Sequence, residues 1–223
     1  MESKNMQEKF KCFIFDLDGT LIDSVDDLTT AFNHMRKTLN YPPVDRAKME
    51  TLIGNGMRDV IVKNFAEMNA DATEAEIDQA LETMRSYYLA HTVVLTKAYE
   101  NVAQTLEYMR QQGCKTAVVT NKYTSAAVDI LKKLGLADLF DVIFGNGEGF
   151  PLKPAPDLLL AVAKQLDVPM ENCVMVGDNH TDLGAARNAG CKSIFCCFGY
   201  GTEQDEKASY YIDNFQELKA FCK

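Results

Sequence analysis

Lys11-Cys12-Phe13-Ile14-Phe15-Asp16-Leu17-Asp18-Gly19-Thr20 joins a short apolar run directly to two acids, a glycine and a threonine. Residues 11–15 read as a β-strand that is apolar on both faces, the mark of a strand inside a parallel sheet covered by helices. In such sheets ligands bind beyond the carboxyl ends of the strands, which is where Asp16 and Asp18 fall. If the chain stays extended through Leu17, period-two geometry points the two carboxylates the same way. Like charges that close need a cation between or beside them, or a proton on one. The short motif alone also fits a solvated strand-end turn, with Gly19 supplying a positive φ.

Outward from this stretch the pattern repeats. Residues 115–120, 141–144, 173–177 and 192–198 are further β-rich runs, separated by helical patterns, and Gly113 and Gly135 each close a helix. Right-handed βαβ connections are the default for such an alternation. The expectation is an α/β fold with a parallel sheet at its core. One segment breaks the alternation, because residues 23–96 carry helical patterning and no convincing strand, which predicts an all-helical insertion. Within it, Ser24 with Asp27 and Thr73 with Glu76 have capping-box spacing. Pro42, Pro43, Gly54 and Gly56 separate its helices, and Ile77, Leu81, Met84 and Tyr88 mark one apolar face, read as the insertion's own core.

The 223 residues, 47% of them hydrophobic, exceed the ~100 to 150 typical of one domain, consistent with one domain carrying a large insertion or with two small domains. A net charge of -9 argues against a nucleic-acid surface, which needs clustered Lys and Arg. The seven cysteines form no Cys-x-x-Cys pair and lie mostly in apolar runs, as reduced thiols of a cytoplasmic protein do. No apolar run approaches the ~18 residues of a membrane span, so no membrane partner is expected.

Val176-Gly177-Asp178-Asn179-His180-Thr181-Asp182 is a second acid cluster that directly follows an apolar run. Asp178 is placed to complete an oxygen-rich Mg²⁺ site with Asp16. Asp182 fits either a helix N-terminal acid or a support that orients water or Lys153. Val119-Thr120-Asn121 and Leu152-Lys153-Pro154-Ala155-Pro156 offer a hydroxyl, backbone amides and a lysine, the groups that hold phosphate oxygens. All four segments follow core strands and would converge on one edge of the sheet. The three histidines, at 34, 91 and 180, do not form a metal-ligand spacing.

In order and approximate spacing, Asp16-x-Asp18-Gly19-Thr20, Thr120-Asn121, Lys153-Pro154 and Gly177-Asp178-x-x-x-Asp182 resemble the haloacid dehalogenase superfamily of phosphotransferases, and within it the phosphoglycolate phosphatase-like proteins. The resemblance covers essentially the whole chain. It implies a Rossmann-like core, residues 1–22 and 95–223, and a helical cap, residues 23–94. It further implies that Asp16 attacks phosphorus and Asp18 is the acid and base. Mg²⁺ would be held by Asp16, Asp178 and the Asp18 carbonyl, and phosphate oxygens by Thr120, the Asn121 amide and Lys153. Gly19 and Asp182 would have supporting roles. Asp18 itself favours ester chemistry, since dehalogenase-like and phosphonatase-like members carry another residue there.

In the cap, Leu52-Ile53-Gly54-Asn55-Gly56-Met57-Arg58 is similar to a loop that closes over substrate in this subgroup, which makes Asn55 and Arg58 the cap candidates. Lys122 and the run Phe198-Gly199-Tyr200-Gly201 also resemble the subgroup, without a role that residue chemistry assigns. The expected partner is a small phosphorylated metabolite, and the expected assembly a monomer or homodimer. A β-phosphoglucomutase-like phosphomutase, a nucleotide pyrophosphatase or nucleotidase, and a non-catalytic binding protein are the competing readings of the same fold.

Overall fold

Strand β1 (Cys12–Phe15) is fully buried at all four positions, and parallel neighbours flank it on both sides. The computed structural model describes residues 8–68 and 71–222, so the polar residues 1–7 lie outside the described part of the chain. Around β1 the sheet contains β4 (Lys115–Tyr123), β5 (Val142–Asn146), β6 (Cys173–Gly177), β7 (Lys192–Cys196) and β8 (Tyr210–Ile212), in the order β5-β4-β1-β6-β7-β8. All five pairings are parallel. The strand order reverses about β1, so the crevice at its carboxyl end, between β4 and β6, is where an α/β sheet accepts a ligand.

Alternate residues of β1 feed two cores. Phe13 and Phe15 pack with α5 (Val102–Gln111) and α6 (Thr124–Lys133), through side chains such as Leu106, Met109, Ile130 and Leu131. Cys12 and Ile14 pack with α7 (Asp157–Gln165) and α8 (His180–Ala189), through Leu158, Leu159, Val162 and Ala185. This is the double-sided burial that the apolar runs predict. Gly113 and Gly135 lie just beyond α5 and α6 with φ of 78° and 69°, so they stop those helices as expected.

Between β2 (Ile22–Asp23) and β3 (Lys97–Ala98) the chain runs through α1 (Val25–Thr38), α2 (Arg46–Glu50), α3 (Met57–Glu67) and α4 (Glu74–Ala90), the helical insertion. β2 and β3 pair antiparallel, Ile22 with Ala98 and Asp23 with Lys97, so the outgoing and returning chain are tied together. Sequence reading foresaw neither this ribbon nor β8. The three segments have only two or three residues each, too short for a periodicity.

The capping box expected at Thr73 is present: Thr73 N–H donates to Glu76 Oε2 at 2.8 Å and Glu76 N–H donates to Thr73 Oγ1 at 3.3 Å. The one expected at Ser24 is not. Ser24 Oγ instead donates to Asp18 Oδ1, and Asp27 accepts from the N–H groups of Val94, Leu95 and Thr96. Both side chains are taken up by the chain crossings beside them. No helix among the described residues is long and apolar enough to cross a membrane.

Candidate active site

The turn after β1 is built around Leu17, whose carbonyl accepts from Leu21 N–H at 2.9 Å and Ile22 N–H at 3.1 Å. Gly19 sits in it at φ 86°, and a Cβ there would collide with the Asp178 carboxylate, so both its backbone angle and its surroundings demand glycine. Asp16 N–H still donates to Val176 O at 2.9 Å, extending the ladder to the acid. Asp16 and Asp18 both line a cavity between the sheet edge and the helical insertion, although the chain bends at Leu17 and does not stay extended between them.

Lys153 Nζ lies 2.8 Å from Asp16 Oδ1, 2.7 Å from Asp182 Oδ1 and 2.7 Å from the Val119 carbonyl. Its side chain is 1% exposed. Burial opposes its charge, but Asp16 and Asp182 outweigh that and hold it above the ordinary lysine range. Asp182 accepts from Asn179 N–H with its other oxygen at 3.0 Å, so it closes the capping box of α8 while it supports Lys153. Asp182 thus sits in the first turn of α8 and contacts Lys153 as well.

Asp178 accepts from Gly201 N–H at 2.8 Å, Tyr200 N–H at 3.1 Å and Thr20 Oγ1 at 3.2 Å. This explains the Phe198-Gly199-Tyr200-Gly201 run, since added Cβ atoms at Gly199 and Gly201 would strike Asp178 itself. Carboxylate oxygens of Asp16, Asp178 and Asp182 lie within 4.8 Å of one another. Burial, reinforced by neighbouring acids, pushes Asp178 well above the usual carboxylate range. Asp16 rises to about 6, with burial the largest cause and Lys153 opposing it. One ammonium among three clustered carboxylates leaves negative charge uncompensated. An all-oxygen donor set with that deficit fits a hard divalent cation.

Thr120 lines the same cavity, and its Oγ1 accepts from Lys122 N–H at 3.2 Å. The Asn121 side chain is a brace: it donates to Gly54 O at 2.9 Å and Lys153 O at 3.0 Å, and accepts from Lys153 N–H at 2.8 Å. Asp18 Oδ2 meets Lys122 Nζ at 2.9 Å. Burial opposes the Lys122 charge, but Asp18 outweighs it and the ammonium is held above its ordinary range. Lys122 Nζ also stands 4.6 Å from the ring centroid of Tyr88, on α4. Sequence reading gave Lys122 no role and took Met84 and Tyr88 as the insertion's core. They are buried, yet both line the cavity, because the apolar face of α4 packs toward the sheet edge as well as toward α1.

The loop at 52–58 reaches the cavity through Ile53, Gly54, Gly56 and Met57. Asn55 and Arg58 do not line it. Asn55 Nδ2 donates to Asp59 at 3.3 Å, and exposed Arg58 pairs with Asp78 at 2.5 Å and with Glu74. Arg58, the second residue of α3, lies off the cavity wall that Met57 lines, and the acids of α4 hold it. His180 is likewise absent from the cavity wall.

An α/β fold that holds a buried carboxylate against a buried lysine, beside two further clustered acids, carries the kinds of group that phosphoryl transfer uses. Residues 13–196 match the haloacid dehalogenase-like hydrolase family, and the chain belongs to it. It is 36% identical over 196 residues to a phosphoglycolate phosphatase of Neisseria meningitidis, covering 87% of this chain and 83% of that protein. It is 33% identical over 219 residues to one of Vibrio parahaemolyticus, covering 95% and 96%. Among solved structures, a Haemophilus somnus protein assigned as a phosphoglycolate phosphatase superposes with TM-score 0.86 at 30% identity, covering 94% of this chain and 96% of that one.

Proposed function

We propose that this chain is a Mg²⁺-dependent phosphatase acting on a small, phosphoglycolate-like phosphomonoester through an aspartyl-phosphate intermediate. The observation that carries the reading is Asp16 at the carboxyl end of β1, its Oδ1 2.8 Å from buried Lys153 Nζ and Asp18 on the same cavity wall. The lysine fixes one Asp16 oxygen and leaves the other to attack phosphorus. As the Asp16 O–P bond forms, the ester P–O bond breaks and the alkoxide takes a proton from Asp18. Water then attacks the acyl phosphate, giving its proton to Asp18, and Asp16 is restored with release of phosphate. Two easier steps replace one hard one.

Thr120 Oγ1, the Asn121 amide and Lys153 Nζ would hold the transferring oxygens, so positioning and electrostatics supply most of the rate. Asp16, Asp178 and the Asp18 carbonyl would hold Mg²⁺, whose chemistry when bound is to draw negative charge off the phosphoryl group. Asp182 supports Lys153, and Gly19 lets Asp178 approach. We assign residues 23–94 as the cap and residues 1–22 and 95–223 as the core. The burial of the Cys12, Cys173, Cys196 and Cys222 thiols in the core supports a reducing, cytoplasmic setting.

The test is phosphate release from a panel of small phosphomonoesters with and without Mg²⁺, with Asp16→Asn as control. Mg²⁺-dependent release that Asp16→Asn abolishes supports the reading. Isomer formation that requires a bisphosphorylated activator would assign a mutase instead, and no turnover of any ester would refute catalysis of this type.

A further inference from the structure

Tyr88, Lys122 and Tyr200 stand in the cavity with no part in the phosphoryl chemistry assigned above. Tyr88 is 1% exposed, and its buried Oη has the Lys122 ammonium beside it but no hydrogen bond of sound geometry among the described residues. Tyr200 Oη, on the loop that binds Asp178, is buried beside the Ser24 hydroxyl, which itself donates to Asp18, and likewise makes no hydrogen bond of sound geometry among the described residues. Lys122 Nζ pairs with Asp18 Oδ2 and has the Tyr88 hydroxyl beside it, which leaves at least one of its three N–H groups to donate. All three side chains line the cavity that Asp16 and Asp18 line. Much of the remaining wall is apolar, including Leu28, Met49, Met57, Val60 and Met84, and offers these groups nothing.

A buried hydroxyl without a partner costs about 1–3 kcal/mol. Two of them beside a buried ammonium are arranged for something that enters the cavity. Resting on the phosphatase reading, we propose that Lys122, Tyr88 and Tyr200 are specificity-determining residues that receive a carboxylate carried by the alcohol portion of the substrate. Lys122 Nζ stands 2.9 Å from Asp18 Oδ2, and Asp18 serves the ester oxygen, so the recognised group lies within one or two carbon atoms of that oxygen. One ammonium and two hydroxyl donors match a flat monoanion with two acceptor oxygens. A second phosphate, bulkier and nearly twice as charged, would face Asp18, and the other cation on this wall, Arg85, is already paired with Glu82. The Lys122 ion pair also sets the order of events: an arriving carboxylate shares the ammonium with Asp18 and is drawn to the leaving-group side.

The experiment compares kcat/KM for phosphoglycolate and for hydroxyethyl phosphate, its neutral counterpart of equal length, with Mg²⁺ present. The proteins are the wild type, Lys122→Met, Tyr88→Phe and Tyr200→Phe, each checked for folding by thermal melting. The wild type is expected to prefer the carboxylate substrate. Lys122→Met is expected to reduce that preference about tenfold or more, and each Tyr→Phe about threefold, mainly through KM for phosphoglycolate. If Lys122→Met does not fold, the two conservative tyrosine variants carry the test. Equal losses on both esters, leaving the ratio unchanged, would mean that these residues serve only Asp18 or packing and would overturn the inference. So would a wild type that does not distinguish the two esters. Turnover of neither ester by the wild type overturns the phosphatase reading and this inference with it, a result distinct from an unselective but active enzyme.

Discussion

Removing the Asp27 carboxylate should loosen the junction between the helical insertion and the sheet. Asp27, on α1 and 5% exposed, accepts from the N–H groups of Val94, Leu95 and Thr96 at 3.0, 3.0 and 2.9 Å, and from Thr96 Oγ1 at 2.7 Å. Val94 and Leu95 are exposed, so water replaces the acid there at small cost, whereas Thr96 is 4% exposed and would lose both bonds without substitute. With charge-assisted bonds worth about 1.5–3 kcal/mol each at buried groups, Asp27→Ala should cost about 3–4 kcal/mol, and Asp27→Asn, which keeps one acceptor, about half of that. Burial pushes the Asp27 carboxyl up, but its bonds to Thr96, Leu95 and Val94 outweigh this and hold it below the usual range. A depressed carboxylate adds stability above its unfolded pKa of about 3.9 and loses it as pH falls through the lower folded value. Urea unfolding at pH 7 and at pH 3 reads both effects. A variant within about 0.5 kcal/mol of wild type at pH 7, or a gap that stays constant down to pH 3, would refute the reasoning.

Asp16→Asn should lower Mg²⁺-dependent phosphate release by about 10⁴-fold or more while leaving the circular dichroism unchanged, since only the nucleophile is lost. Lys153→Met leaves the Asp16 and Asp182 carboxylates buried without their cation, so urea unfolding at pH 7.5 should show a loss of about 3–5 kcal/mol, shrinking at pH 5 as the acids take up protons. In the metal-free chain Asp16 titrates near 6, above its unfolded value, so the folded state holds extra protons and the stability contribution of this acid falls as pH rises toward and through 6. Mg²⁺ needs the deprotonated carboxylates, and the rise in Tm on adding it should therefore be larger at pH 7.5 than at pH 5.5; an equal rise at both would place the cation elsewhere.

The sheet and its acids were legible because each leaves a local signal. β1, β4, β6 and β7 are apolar runs; Asp16 and Asp18 stand just past β1, and Asp178 just past β6, with Asp182 in the first turn of α8. The edge strand β8 and the β2–β3 ribbon carry no period, so only the pairing partner defines them. The cap misled in both directions. Arg58 has the chemistry of an anion-binding residue, but at its helical position Glu74 and Asp78 are its neighbours. Tyr88 has the spacing of a core residue, and the same face of α4 that reaches α1 also closes the cavity. Residue type and period do not say which of two buried surroundings a helix face meets.

The place where the insertion leaves the sheet accounts for its part in the site. The chain departs immediately after the Asp16–Thr20 turn and returns through the ribbon at Lys97–Ala98, so both crossings lie beside the first acids and the helices are held near the strand ends that bear the chemistry. Asp18 shows the consequence atom by atom. One oxygen accepts from Ser24, at the start of α1, and the other meets Lys122 from the end of β4, over which Tyr88 of α4 is laid. The residue proposed as acid and base is therefore held half by the core and half by the cap. Tyr88→Phe removes a hydroxyl and keeps the ring beside Lys122, whereas Tyr88→Ala removes both. If the cap helps to set the geometry of Asp18, the alanine variant should lose turnover on neutral and carboxylate esters alike, and the phenylalanine variant chiefly on the carboxylate ester. Assaying the pair on both esters separates shaping of the acid from recognition of the substrate. Identical losses in the two variants would leave the ring without a part in either.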